Sequence, residues 1–248
     1  MQGLSKSRSL RGAQGFRYMK NQGAQIILAL DVDTIESAAG FVDKLYPKIK
    51  IFKVGSHLFT AYGPKVIEML RKCGAEVFLD LKYFDIPNTV AQAVAVATRL
   101  EVKMLTLHIS GGKEMIEAAV DAAARQAEVS KLARPLLIGV TVLTSQKAGQ
   151  KEVLKLAKLG LAYGLDGVVC SVAEAAVLRS KIKKNFVIVT PGIRSDNSAK
   201  DDQKRIATVS QAVKAGSNFL VIGRPILKAD NPIAKTEELL GDLYGAGN

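Results

Sequence analysis

The chain has 248 residues, of which 48% are hydrophobic and 23% charged, and it carries a formal net charge of +12. These proportions are normal for a soluble globular protein, and a chain of this length buries a large core without a disulfide or metal staple. No apolar run reaches the roughly 18 residues of a membrane span, and the N-terminus lacks the apolar segment of a secretory signal.

The cysteines and histidines are too few and too scattered for several kinds of site. Cys73 and Cys170 lie far apart in apolar surroundings, which indicates reduced core thiols in a cytoplasmic protein rather than a disulfide or a metal pair. With only His57 and His108 available, a multi-histidine zinc site is not expected. We therefore predict no bound metal and no cofactor.

The positive charge is unevenly distributed. Five of the basic residues lie within residues 1–25, which contain no acidic residue, so the remainder of the chain carries 12 − 5 = +7. Nucleic-acid binding is one interpretation of this charge. The other is a solvated surface that attracts an anionic substrate, and the lack of interleaved aromatic residues favours it. We expect no nucleic-acid partner.

The N-terminal segment stands apart from the rest of the sequence. Residues 1–25 predict a basic flexible extension, with a transit peptide or a misplaced start codon as alternatives. Residues 26–248 show no linker or break in composition, so they are expected to form one domain.

Short apolar runs alternate with amphipathic, alanine-rich stretches along this domain. The lengths of the runs fit buried parallel strands. The predicted strands are Ile26–Val32, Ile51–Gly55, Val77–Lys82, Met104–Ser110, Leu136–Leu143, Gly167–Ser171, Phe186–Ile193 and Phe219–Ile226. The predicted helices are Thr34–Leu45, Thr89–Leu100, Lys113–Ala127, Lys151–Tyr163, Ala173–Ile182 and Thr208–Ala215. Eight strands in this order predict an α/β fold, a single-domain TIM (β/α)₈ barrel. The G-x-G-x-x-G fingerprint of an open doubly wound sheet is absent.

Charged residues collect where a barrel places its active site, at the carboxyl ends of the strands. Asp31 ends the first predicted strand, Lys53 lies on the second, and Asp80 and Lys82 end the third. Residues two apart on a strand face the same side, so Asp80 and Lys82 should lie together. A buried ion pair that closes the barrel is one interpretation. A catalytic lysine, kept protonated by neighbouring acids, is the one we favour.

The last two strands end in residues suited to binding phosphate. Arg194 and Arg224 can each bind an anion with two hydrogen bonds, and Gly223 lets the backbone approach it closely. The polar stretch 195–205 is long enough to form a mobile lid. For His108, both a supporting role and a ligand contact remain open, whereas His57 is expected to be structural.

Six motifs occur in order along the chain: Ala29–Asp31, Lys53–Gly55, Asp80–Thr89, Thr190–Arg194, Asp202–Arg205 and Val221–Pro225. Together they resemble the orotidine 5′-monophosphate decarboxylase family of the bacterial type. The similarity runs from about residue 26 to residue 240, and the string D-x-K-x-x-D-I-P-N-T is its most specific part. The chain departs from the family pattern at Ile109, where alanine is usual, and at Val209, where proline is usual.

The resemblance implies catalytic roles for three residues. Lys82 resembles the proton donor to C6 of the pyrimidine, and Asp80 the carboxylate beside the departing carboxyl group. Asp85 resembles an aspartate contributed across a dimer interface, which implies a homodimer with shared active sites. Ile86 and Thr89 are implied to bind substrate, Thr89 in the neighbouring site.

The resemblance also implies how the nucleotide monophosphate is bound. Asp31 and Lys53 match ribose-binding positions, and Thr144, with Ser145 as the alternative, matches the group that contacts the pyrimidine edge. The positions that match the phosphate site are Arg194, Gln203, Gly223 and Arg224. The implied activity is cofactor-independent decarboxylation of orotidine 5′-monophosphate to UMP, the last step of de novo pyrimidine biosynthesis.

Two alternatives come from different classes. A Mg²⁺-dependent sugar-phosphate decarboxylase or aldolase of the same suprafamily would share the D-x-K-x-x-D core but would carry an acidic residue at the position of Lys53. The positive charge of Lys53 repels a metal ion. A basic RNA-binding protein that has lost catalysis is supported only by the net charge.

Overall fold

The computed structural model describes residues 23–143, 149–194 and 207–246, and eight of its strands close into a parallel barrel. The strands follow one another around the barrel in chain order, and the last pairs with the first. The barrel strands are β1 (Gln25–Ala29), β2 (Ile51–Gly55), β3 (Glu76–Tyr83), β4 (Met104–His108), β5 (Leu136–Val140), β6 (Gly167–Val169), β7 (Val187–Pro191) and β10 (Phe219–Ile222). The TIM barrel predicted from the alternation of elements is thereby confirmed.

Helices surround this barrel. In the described residues they are α1 (Ile35–Leu45), α2 (Ser56–Tyr62), α3 (Pro64–Lys72), α4 (Pro87–Arg99), α5 (Gly112–Ser130), α6 (Gln150–Ala162), α7 (Val172–Lys181), α8 (Val209–Lys214), α9 (Arg224–Leu227) and α10 (Pro232–Ala246). The six predicted helices are present with shifts of a few residues, whereas α2, α3, α9 and α10 were not predicted. None of these helices is long and apolar enough to span a membrane.

Several predicted strands extend too far at their carboxyl ends. The run Phe219–Ile226 is strand only to Ile222, because Arg224 and Pro225 begin α9, where proline is favoured in the first turn. The run Met104–Ser110 ends at His108 and continues as a 3₁₀ turn. Beyond the barrel rim the backbone no longer has a neighbouring strand on each side, so it turns towards the next helix.

A second small sheet lies beside the end of β7. Its strands β8 (Ile193–Arg194) and β9 (Ala207–Thr208) pair in parallel, and Thr208 then caps the start of α8. The Thr208 hydroxyl accepts from the Gln211 amide, and the Gln211 side chain accepts from the Thr208 amide. This capping box defines the start of the helix although Val209 occupies the usual proline position.

The core has two layers, separated by the alternation of side chains along each strand. The inner layer fills the lower barrel with apolar side chains. It contains Ile27, Ala29, Ile51, Phe78, Met104, Leu136, Ile138, Val187, Val189, Phe219 and Val221. The outer layer packs the other faces of the strands against the helices. In the described residues the barrel interior is therefore a packed core rather than a pore.

Ile109, one of the departures from the family pattern, occupies a specific site in the outer layer. Its side chain and that of Leu165 lie between Gly139 of β5 and Gly160 of α6. A β-carbon at Gly139 would lie 2.6 Å from both Ile109 Cγ1 and Leu165 Cδ1, and one at Gly160 would lie 2.9 Å from both side chains. The two glycines thus provide the space that the larger residue needs.

Polar contacts secure the amino-terminal end of the barrel. Asp166 Oδ2 accepts from Arg134 Nη1 and from the Leu137 amide, each at 2.8 Å. The Arg179 guanidinium donates to the Gly216 carbonyl and to Asn218 Oδ1. These bonds tie loops and helices to the strand starts, on the opposite side from the charged residues described next.

Candidate active site

Four charged side chains meet at the carboxyl end of the barrel. Lys53, Asp80 and Lys82 follow the inward-facing positions of β2 and β3, and Asp31 follows β1. They border one cavity, whose lining residues are Leu30, Asp31, Lys53, Gly55, Ser56, His57, Leu58, Asp80 and Lys82. The structure therefore brings together the charged residues that were expected at the carboxyl ends of the first three barrel strands.

Asp80 lies between the two ammonium groups. Its Oδ2 is 2.9 Å from Lys82 Nζ and 3.8 Å from Lys53 Nζ, and Lys53 Nζ lies 3.1 Å from Asp31 Oδ1. The side chains of Lys53 and Asp80 are 12% and 15% exposed, whereas that of Lys82 is 38% exposed. Lys82 is thus the ammonium of this network with the better access to a molecule in the cavity.

The backbone at Lys82 is unusual. Its φ angle is 52°, in the left-handed region that residues with a β-carbon rarely adopt. The pairing of β3 with β4 also shifts register between Leu79 and Tyr83. A strained residue at the end of a barrel strand, beside a cavity, is typical of a functional site.

Thr106 supports this part of β3, and our sequence reasoning did not identify it. Its hydroxyl donates to Asp80 Oδ1 at 2.9 Å and accepts from the Lys82 amide at 2.9 Å. The only signal in the sequence is a hydroxyl at an inward-facing position of β4, whose other residues are apolar up to His108 at its end. Because threonine is common in strands, that signal is weak.

Two glycines provide space around the charges. A β-carbon at Gly55 would lie 3.2 Å from Lys53 Nζ. A β-carbon at Gly223 would lie 3.4 Å from Asp31 Oδ2 and from the Ala29 side chain. Gly223 lies at the end of β10, next to Asp31, and its expected role as a point of close approach to an anion stays a prediction.

The two arginines expected at a phosphate site follow neighbouring strands. Arg194 lies on β8 just after β7 and is 7% exposed, and Arg224 begins α9 directly after β10, where it is exposed. Since β7 and β10 are adjacent in the barrel, both residues lie on the same sector of its rim. Thr144, Ser145, Gln203 and the expected lid 195–205 lie outside the described residues.

Asp85, Ile86 and Thr89 lie apart from the charged network of their own chain. They are exposed at the start of α4, and the Asp85 carboxylate accepts from the Ile86 amide at 2.6 Å. Within the described residues, no hydrogen bond or ion pair joins them to Asp80 or Lys82. The side chain of Ile86 is 67% exposed and that of neighbouring Phe84 is 62% exposed, which is high for apolar residues.

The two histidines differ in their surroundings. His108 ends β4, and its ring meets Phe84 edge-on with a centroid distance of 5.7 Å. Burial and the nearby Lys82 ammonium lower the pKa of His108, and Asp80 offsets part of this effect. His57 is exposed on the cavity rim, with Nδ1 3.9 Å from Asp33 Oδ1.

The charges at the site are of alternating sign. In the described parts of the chain, no three histidine, cysteine, aspartate or glutamate side chains are grouped so that they could hold a metal ion. Lys53 and Lys82 instead place positive charge beside the carboxylates of Asp31 and Asp80. Such an arrangement suits a bound anion and proton transfer.

Comparison with known proteins gives a consistent result. The sequence model of the orotidine 5′-phosphate decarboxylase / HUMPS family matches residues 24–239. The chain is 46% identical over 230 residues to orotidine 5′-phosphate decarboxylase from Trichlorobacter lovleyi, covering 88% of this chain and 95% of the relative. It is 49% identical over 219 residues to the enzyme of that name from Laribacter hongkongensis, covering 84% and 88%.

A solved structure supports the same assignment. The crystal structure of orotidine 5′-phosphate decarboxylase from Lactobacillus acidophilus superimposes with a TM-score of 0.78 and 34% sequence identity, covering 89% of this chain and 99% of that one. The extent of the family match, the identity to these relatives and the closed barrel agree. The chain belongs to the orotidine 5′-phosphate decarboxylase / HUMPS family.

Proposed function

We propose that this protein decarboxylates orotidine 5′-monophosphate to UMP, the last step of de novo pyrimidine synthesis. The observation that carries the proposal is the Lys82 ammonium, which faces the cavity 2.9 Å from the largely buried Asp80 carboxylate. This pair combines a proton donor with a negative charge at the end of one strand. Family membership and relatives named for this activity support the same reaction.

The chemistry follows from what the reaction must stabilise. The bond between C6 and the carboxylate breaks, carbon dioxide leaves, and the electron pair remains on C6 without an obvious electron sink. Lys82 stabilises the developing negative charge, because a fixed cation aimed where charge develops lowers the barrier. It then transfers one ammonium proton to C6, which gives UMP and leaves a neutral amine that regains a proton from water.

Asp80 acts on the departing group. Its carboxylate lies beside Lys82 and would face the carboxylate of the bound substrate, so the two negative charges repel each other until carbon dioxide leaves. The repulsion is relieved in the transition state, where the substrate carboxylate loses its charge. Asp80 also holds the Lys82 ammonium in place through the 2.9 Å contact.

The remaining residues bind the nucleotide. Asp31 and Lys53 bind the ribose, and Thr144 contacts the pyrimidine edge. The phosphate is bound by Arg194, Gln203, Gly223 and Arg224. Phosphate binding distant from the reacting carbon supplies energy that positions the ring. Arg224→Ala should therefore lower kcat/KM, and an unchanged value would argue against the phosphate site.

We further propose a homodimer in which each site uses residues from both subunits. The exposed Asp85, Ile86 and Thr89 would then complete the partner's cavity. The exposed apolar side chains of Phe84 and Ile86 support this arrangement, because such residues beside a site favour burial against a partner.

The sharing of sites is testable by mixing inactive variants. Lys82→Ala and Asp85→Ala homodimers should each be nearly inactive. In a heterodimer of the two, one site carries both changes and the other carries neither, so a refolded equal mixture should regain about a quarter of the wild-type activity. A mixture that stays inactive although heterodimers form would show that the sites are not shared.

The first assay follows the loss of absorbance as orotidine 5′-monophosphate becomes UMP, with EDTA present. Lys82→Ala should lower kcat by several orders of magnitude because the proton donor is removed. Lys50→Ala is the matched control, since Lys50 is exposed at the opposite end of β2. Near-wild-type turnover of Lys82→Ala would refute the assignment of the proton donor.

The alternative within the suprafamily gives a different outcome in the same assay. A wild-type protein that is folded but does not consume orotidine 5′-monophosphate would contradict the proposed function. The Mg²⁺-dependent sugar-phosphate reactions would then be tested next. That alternative is not favoured, because Lys53 places a positive charge at the position where the Mg²⁺-dependent enzymes would carry an acidic residue.

A further inference from the structure

Thr106 lies at the centre of the charged network without contributing a charge. It is fully buried on β4, and its side chain faces the inward-directed residues of β3. Its hydroxyl is within 2.9 Å of both Asp80 Oδ1 and the Lys82 backbone nitrogen. One hydroxyl is therefore bonded to both members of the proposed catalytic pair.

The direction of the two bonds follows from valence. The Lys82 amide can only donate, so the hydroxyl oxygen must accept from it. The hydroxyl has a single hydrogen, which is then free to point at the Asp80 carboxylate. The hydroxyl therefore acts both as a hydrogen-bond donor and as an acceptor. A side chain that can only donate or only accept could not replace it.

These bonds fix the geometry of the pair in two ways. The bond from the Lys82 amide to the Thr106 hydroxyl holds Lys82 in its left-handed conformation. At the register shift in β3, this amide bonds to the Thr106 side chain instead of the β4 backbone. The second fixes Oδ1 of Asp80, which leaves Oδ2 directed at the ammonium groups of Lys82 and Lys53. Loss of the Thr106 hydroxyl would remove both of these bonds and leave Asp80 held by its contacts with the two ammonium groups.

We propose that Thr106 is a positioning residue that sets the alignment of Lys82 and Asp80 for proton transfer. It acts through these two residues and does not touch the substrate. The proposal rests on the proposed decarboxylase function. It assigns a positioning role to a residue that lies outside the six family motifs. Misplacing a reacting group by about 1 Å costs up to roughly 100-fold in rate, so the loss of these bonds should be visible in kcat.

The test compares three variants. Thr106→Val keeps the shape of the side chain but removes the hydroxyl, and Thr106→Ser keeps the hydroxyl. The control is Thr98→Val, which removes another fully buried threonine hydroxyl, one that bonds only the Val94 carbonyl within α4. For each we would measure kcat, KM, the Kd for UMP and the midpoint of urea unfolding.

The expected pattern separates positioning from general stability. Thr106→Val should lower kcat roughly 10- to 100-fold, while the Kd for UMP stays within about threefold, because the ligand contacts other residues. Thr106→Ser should restore most of the loss. Thr98→Val should be destabilised to a similar degree with unchanged kcat. A Thr106→Val enzyme with kcat within about twofold of wild type, or a Thr106→Ser enzyme as slow as Thr106→Val, would overturn the proposal.

A second readout does not depend on the reaction. Hydrogen–deuterium exchange of peptides covering residues 79–85 should accelerate in Thr106→Val, because the Lys82 amide loses its partner, and should stay slow in Thr106→Ser. Equal exchange in wild type and Thr106→Val would overturn the anchoring role. If the wild-type protein shows slow exchange in this segment but does not consume orotidine 5′-monophosphate, the proposed function is wrong while the contact made by Thr106 stands. If Thr106→Val does not fold, Thr106→Ala and Thr106→Ser form the same comparison.

Discussion

The packing of Ile109 between two glycines leads to a quantitative prediction. A methyl group added at Gly139 would lie 2.6 Å from Ile109 Cγ1 and from Leu165 Cδ1, closer than carbon atoms approach in a packed core. Gly139→Ala should therefore destabilise the protein by about 1–3 kcal/mol, as expected for overpacking. Ile109→Ala alone should cost about 2–5 kcal/mol through the cavity that it leaves.

Together the two changes should cost less than their sum. Removing the Ile109 side chain frees the space that the new methyl group needs, and the end of the flexible Leu165 side chain can move into what remains. We expect a coupling free energy of roughly 0.5–3 kcal/mol in favour of the double variant. Urea unfolding followed by far-UV circular dichroism measures all four free energies in the double-mutant cycle.

A matched control tests whether the clash, rather than the chemical change, is responsible. Gly40 lies within α1, where an added β-carbon has no atom within 4 Å. Gly40→Ala should therefore stabilise the protein by about 0.4–1 kcal/mol through helix propensity and chain entropy. Additive costs in the Gly139–Ile109 cycle, or a neutral Gly139→Ala, would refute the inference that the glycines accommodate Ile109.

Three other predictions concern polar groups that are wholly or partly buried. Because burial and Lys82 lower the pKa of His108, the folded state binds its proton less tightly than the unfolded state, and His108 contributes stability that is lost as pH falls below about 6.5. Between pH 7.5 and 5.5, urea unfolding of wild type should thus lose more stability than that of His108→Gln, and an equal loss would contradict this. Burial raises the pKa of the Cys170 thiol, so Ellman's reagent should modify it only after unfolding. Rapid modification of Cys170 in the folded Cys73→Ser variant would contradict this prediction. Asp166→Ala leaves Arg134 without its partner and should cost about 3–5 kcal/mol with little change in kcat, which thermal unfolding and the absorbance assay check together.

The sequence predicted the barrel well because its signals are local and repeated. Each strand is a short apolar run and most helices show amphipathic spacing, so the order of elements was readable without any contact information. Alternation along β3 also predicted that Asp80 and Lys82 face the same way, and their 2.9 Å contact agrees. The helices that were missed are short, such as α2 with seven residues, or interrupted by glycine, as α10 is at Gly241 and Gly245.

What the sequence did not predict depends on contacts between strands. Thr106 reads as an ordinary strand residue, and its contacts with both Asp80 and Lys82 arise from the register shift between β3 and β4. The left-handed backbone of Lys82 is likewise invisible in a pattern that simply continues a strand. Ile109 was recognised as unusual, but its compensation by Gly139 and Gly160 requires knowledge of which helix and strand meet.

The apolar inner layer of the barrel bears on how the proposed proton donor would regain its proton. Side chains such as Phe78 and Met104 fill the space beneath the charged network, whereas Lys82 lines the cavity above it. Under the proposed mechanism, a nucleotide bound in that cavity would cover the side of Lys82 that faces solvent. Each proton delivered to the substrate would then be replaced after the product departs, so a core that takes no part in the chemistry would set the order of the two steps.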